Sequence, residues 1–108
     1  MQIEINTDHH IGGHEAMIGR VRSTVEAALS RVRDHITRVE VHLTDENGNK
    51  GGANDKRCVM EGRLEGRQPV AVTEDGATVE QVVHGAADKL AALIESTLGR
   101  LRDQGRRD

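Results

Sequence analysis

The sequence predicts an α+β fold of order β-α-β-β-β-α, a two-layer sandwich of a four-stranded, mostly antiparallel sheet with two helices on one face. Three observations predict it. Four segments alternate apolar and polar residues, two others repeat apolar residues at three- and four-residue steps, and Gly- or Asn-rich breaks divide them. Placing both helices on one sheet face buries every apolar stripe with the fewest layers. A chain of 108 residues sets a prior of one domain, with roughly 65% of its unfolded surface available for burial. We read 1–102 as that domain and the charged end 103–108 (DQGRRD) as a frayed tail.

Each element follows from its pattern. Ile3 and Ile5 share one face of a strand at 2–6, with Gln2 and Glu4 on the other. After the Gly12-Gly13 break, Met17, Ile18, Val21, Val25, Ala28, Leu29 and Val32 mark an amphipathic helix over 14–33. Period two returns in a strand at 36–45, with Val39, Val41 and Leu43 inward. The run DENGNKGGAND, expected to be the most mobile stretch of the body over 46–55, leads to a strand at 56–65 bearing Cys58, Met60 and Leu64 inward. Gly66 and Arg67 form a turn into a last strand at 69–74, where Pro69 suits only a strand start or an edge. Thr78-Val-Glu-Gln81 reads as a capping box opening a helix over 78–102, with Val79, Val82, Val83, Ala86, Leu90, Leu93, Ile94, Leu98 and Leu101 in its stripe. If the first and second strands pair in parallel, their crossover should be right-handed. The opposite sheet face, with Glu4, Arg38, Glu40, His42, Glu61 and Arg63, is charged with mixed signs and reads as solvated.

Composition excludes several functions. No Phe, Tyr or Trp occurs, so bases cannot be held by aromatic stacking and any nucleic-acid contact must go to backbone and shape. The net charge of -3 argues mildly against a nucleic-acid partner, although local fields outweigh totals. A lone cysteine fits a reducing compartment, no apolar run is long enough to span a membrane, and the start MQIEINTD has no signal-peptide pattern. The expected location is the cytoplasm.

No catalytic or metal signal survives inspection. His10 and His14 have helical spacing, and His9 adjoins them, but a metal site needs three or four ligands of fixed geometry. Cys58 faces inward on a strand with no base in prospect. Glu61 and Glu65 share a solvated face, and Gly48, Gly51 and Gly52 lie in a loop that opens no helix, so no phosphate loop is present. We expect no enzyme activity, no cofactor and no metal.

Cations on the helices are arranged more tellingly. At about 100° per residue, Arg20, Thr24, Ala27 and Arg31 fall on one stripe of the first helix with no acid among them. Lys89, Ala92, Ser96 and Arg100 do the same on the second. The other flanks mix Arg22 and Arg33 with Glu15 and Glu26, and Arg102 with Asp88 and Glu95, so those cations are expected to be screened by their neighbours. Stripe cations can equally be snorkelling side chains that cover the edge of the core.

The segments MQIEINTD, DHITRVEVHLTDENG at 34–48, DKRCVMEGRLEGRQPVAVT at 55–73 and GAADKL at 85–90 resemble the ribosome hibernation promoting factors. This family is also called ribosome-associated inhibitor or sigma-54 modulation protein, and the length resembles its short form. The resemblance runs through nearly the whole chain in the family's order. It implies a fold similar to double-stranded-RNA-binding domains and binding to the small ribosomal subunit where mRNA and tRNA would sit. On that footing the expected rRNA contacts are Arg20, Arg31, Lys89 and Arg100, with Arg22, Arg33 and Arg102 secondary. The competing reading is a protein-interaction module that keeps the fold with weak or no ribosome affinity, favoured by the acidic balance and by Ala91-Ala92. An exposed strand edge would also permit a weak homodimer.

Overall fold

A computed structural model describes residues 1–8, 11, 15–46 and 55–105, with side chains described through Arg100. The chain forms β1 (Gln2–Thr7), α1 (Glu15–Ala28), a 3-10 turn (Arg33–His35), β2 (Ile36–Asp45), β3 (Lys56–Leu64), β4 (Val70–Gly76) and α2 (Val79–Gly105). The sheet runs β1-β2-β3-β4, with β1 parallel to β2 and the other two pairs antiparallel. This is the expected α+β architecture. Among the described residues no helix is long and apolar enough to cross a membrane.

Alternation decides which sheet face is covered. Val39, Val41 and Leu43 of β2 and Cys58, Met60 and Leu64 of β3 are buried beneath Val21 and Val25 of α1 and Val82, Val83, Ala86, Leu90 and Ile94 of α2. Fully burying each such aliphatic side chain contributes roughly 1.5–3 kcal/mol, so the core needs no aromatic residue. Helix α2 packs closely over β3 at Gly62, where an added Cβ would sit 3.4 Å from Ile94 Cδ1. Ile36 and Val39 are three apart, yet both are buried. The register shifts between Ile36 and Arg38, leaving Thr37 as a bulge residue whose hydroxyl donates to the Arg63 carbonyl at 3.1 Å.

Two helix ends differ from expectation. Helix α1 stops at Ala28 rather than continuing to Arg33. The chain tightens into turns in which Ser30 N donates to Ala27 O and Val32 N to Leu29 O. Leu29 and Val32 stay buried, so the apolar period runs unbroken through a change in hydrogen bonding that it does not register. At the start of α2, Gln81 N donates to Thr78 Oγ1 at 3.1 Å. The Gln81 side chain returns to Ala77 N rather than to the cap residue itself, a shifted version of the capping box. Helix α2 continues to Gly105, beyond the expected 102. His9, His10 and His14, most of the loop expected to be mobile (47–54) and the last three residues of the tail (106–108) lie outside the described residues.

Candidate nucleic-acid interface

The cations singled out by helix position do not form one continuous surface. Arg20 projects from α1 into the groove between the helices, where its Nε lies 3.8 Å from Glu80 Oε1. Both side chains are more than half exposed, so this pair contributes little to stability, but it lowers the local positive charge. Lys89 on α2 donates to the Thr73 carbonyl of β4 at 3.1 Å and pairs with the Glu74 carboxylate. Gly85 makes room for that carboxylate, which a Cβ there would overlap. The two stripes are free of acid along their own helices; other elements supply the acids.

Arg31 is not on α1. It lies in the turn after Ala28, because the helix has already given way to tighter bonding there. Arg33 lies in the 3-10 turn, also off the helix. Neither is screened by Glu26: both are exposed and without an ion-pair partner among the described residues. Arg22 is likewise not held by Glu15 or Glu26; its Nη1 donates to the Ile3 carbonyl at 2.9 Å. The Arg102 side chain lies outside the described residues. Arg100 Nη2 contacts Thr97 Oγ1 at 3.4 Å, and that hydroxyl donates to Leu93 O at 2.8 Å.

Tertiary structure sorts the charges along the sheet. The Glu65 N–H donates to His35 O, tying the 3-10 turn to the β3–β4 turn. Arg31 and Arg33 therefore lie at the end of the sheet that also carries Arg67 and Arg100. Arg67 was not foreseen from helix periodicity, since it belongs to a turn. At the opposite end Asp45 and Asp55 are buried and share Lys56 Nζ at 3.2 and 3.0 Å. Asp8 accepts from Asp45 N at 3.1 Å. The hydrogen bond to Asp55, outweighing partial desolvation, holds the Lys56 ammonium above its ordinary pKa. Arg57 is drawn up likewise, chiefly by its bond to Asp75.

The open sheet face neutralises itself. Register sets Arg38 opposite Arg63 and Glu40 opposite Glu61, like against like, and diagonal and same-strand pairs resolve the conflict. Arg63 Nε lies 3.5 Å from Glu40 and 3.4 Å from Glu61, while Arg38 pairs with Glu4 across β1. Cys58 is fully buried; burial, and secondarily the Glu74 charge, push its thiol up to about 12, leaving no thiolate for chemistry. Among the described residues no His, Cys, Asp and Glu group could hold a metal.

Comparison with known proteins adds three findings. The family model described as sigma-54 modulation protein / S30EA ribosomal protein matches residues 5–102. A crystal structure of the Thermus thermophilus Protein Y N-terminal domain aligns with a TM-score of 0.70 at 22% identity, covering 90% of this chain and 99% of that one. The structure of a ribosomal subunit interface protein from Coxiella burnetii aligns at 0.69 and 18% identity, covering 92% and 99%. Among curated proteins no sequence matches.

Proposed function

This chain belongs to the sigma-54 modulation protein / S30EA ribosomal protein family, a family of non-enzymatic, ribosome-associated factors, and we propose that it holds the small ribosomal subunit in a translation-inactive state in the cytoplasm. It does so by gripping the rRNA backbone. The observation that carries this reading is the set of exposed arginines, Arg31, Arg33 and Arg67, without ion-pair partners among the described residues of a net acidic chain. Arginine left free beside self-neutralised charge is available to phosphate. With no aromatic side chain to stack on bases, contact falls to phosphate and sugar, which position a protein without reading sequence. Arg20, Arg31, Lys89 and Arg100 are the contacts we assign, with Arg22, Arg33 and Arg102 supporting them. Arg20 and Lys89 would exchange Glu80 and Glu74 for phosphate on binding. The whole domain, 1–102, serves as the binding unit.

The test is co-sedimentation with small subunits over a salt series. Binding should be strong at low salt and fall steeply as salt rises, because phosphate contacts release counterions. The Arg20–Glu80 and Lys89–Glu74 pairs favour a second reading, an interaction module with weak or no ribosome affinity. That module would remain in the supernatant even at low salt. A weak homodimer through a sheet edge would show as a concentration-dependent mass in sedimentation equilibrium.

A further inference from the structure

A notch at the arginine-rich end of the sheet lies between the β3–β4 turn and the C-terminal part of α2. It is lined by Arg67, Gln68, Pro69, Val70, Thr97 and Arg100, with Leu64 and Gly66 completing it. Its composition sets it apart from the neighbouring concavities. The inter-helix groove contains Glu80 beside Arg20, and the hollow along β1 contains Glu4 beside Arg38. The notch presents two guanidinium groups, an amide and a hydroxyl, and among the described residues no carboxylate lines it. Glu65, adjacent in sequence, is not part of the lining.

Both walls are fixed before any ligand arrives. On one side Gly66 takes φ +70°, a conformation that side-chain-bearing residues rarely adopt. Arg67 N donates to Leu64 O at 3.2 Å, and Pro69 restricts the exit from the turn. On the other side the Thr97 hydroxyl gives its hydrogen to Leu93 O and offers a lone pair to Arg100 Nη2, which orients that guanidinium. The negative end of the α2 dipole lies at Gly105, more than one turn away, so it opposes an anion here only weakly. Arginine forks match the geometry of phosphate oxygens, and the Gln68 amide adds a neutral donor.

We propose that this notch is a phosphate-binding site that takes a phosphodiester of folded RNA, with Arg67 and Arg100 as its charged ligands and Gln68 and Thr97 as its polar walls. The choice of RNA over a free anion rests on the ribosome reading above; the site itself rests on the lining. It joins Arg67, one of the arginines without an ion-pair partner among the described residues, to Arg100 in one site and adds Gln68 beside them.

The experiment uses the full chain and a fluorescent, blunt RNA duplex of arbitrary sequence, with no ribosome present, so that it stands apart from co-sedimentation. Replacing Arg67→Ala and Arg100→Ala together should weaken duplex binding on the order of tenfold at low salt and flatten log K against log salt by about one unit. Arg57→Ala with Arg63→Ala on the open sheet face removes the same charge and should change binding by less than about twofold. Circular dichroism confirms that both variants are folded. Equal losses from the two variants, or no duplex binding by the unmodified chain at low salt, would overturn the site. Inorganic phosphate that displaces the duplex at micromolar concentration would overturn the RNA assignment. If the duplex binds through the notch while small subunits do not co-sediment, the ribosome reading fails and the notch stands.

Discussion

Glu40 links the charges of the open sheet face. It lies within 3.5–3.9 Å of Arg63, Arg38 and His42, and its side chain is only 19% exposed. Glu40→Ala would leave Arg38 opposite Arg63 with less compensation, and like charges directly opposed destabilise a sheet. The expected cost is about 1 kcal/mol in urea unfolding at low salt, shrinking at high salt as the repulsion is screened. At Cys58 the sign is set by a folded-state pKa raised from 9.0 to about 12. The stability that goes with the neutral thiol is present below about pH 9 and lost as pH rises from there. Lys56, also raised, adds to the loss at higher pH, as its ammonium gives up the proton shared with Asp55 and Asp45. For Cys58 alone, unfolding at about pH 10 should show a loss on the order of 1 kcal/mol relative to neutral pH. Cys58→Ala should remove most of that dependence, and a Cys58 variant with the full dependence would refute this assignment.

At the scale of elements, the start of α2 and the end of α1 behave differently. The start is fixed by local chemistry: Thr78 and Gln81 satisfy two backbone donors. Thr78→Ala should cost about 1 kcal/mol, measurable as a fall in the urea midpoint without a change in slope. The end of α1 has no Gly or Pro to stop it and is set by the need to deliver Val32 and Ile36 into the core where β2 begins. Leu29, just past that end, and Leu90 of α2 are both fully buried. Leu90→Ala should destabilise by roughly 2–5 kcal/mol. A loss under about 1 kcal/mol in thermal unfolding would show that α2 packs more loosely than its burial indicates.

Across the whole molecule, a net charge of -3 conceals a separation. Carboxylates gather around Lys56, whereas Arg31, Arg33, Arg67 and Arg100 stand at the other end of the sheet. An uneven field of this kind can orient an acidic-overall protein toward an anionic surface. The distinction between paired and free arginines makes a testable difference in ribosome binding. Arg31→Ala with Arg100→Ala should flatten the salt dependence by up to about two units. Arg20→Ala with Lys89→Ala should flatten it less, because each removes a cation already engaged with a carboxylate. Equal slopes would mean that total charge governs binding and that the partners in the free protein are irrelevant.

The sequence by itself determined the order of elements, the strands near 36–45 and 56–65, the covered face of the sheet and the start of α2. Each depends on alternation, helical spacing or capping within a few neighbouring residues. It could not reveal where α1 stops, since Leu29 and Val32 keep the apolar period while the bonding tightens beneath them. Nor could it reveal the bulge at Thr37, which becomes visible only when Leu64 and Arg63 are set against Ile36 and Arg38. The largest share left to tertiary structure is electrostatic. Arg20 and Lys89 look free when each helix is read alone, but they meet Glu80 and Glu74 from other elements. Arg67, in a turn without periodicity, gains its place beside Arg100 only when the hairpin packs against α2. Periodicity records which side a residue faces; folding selects the charge it faces there.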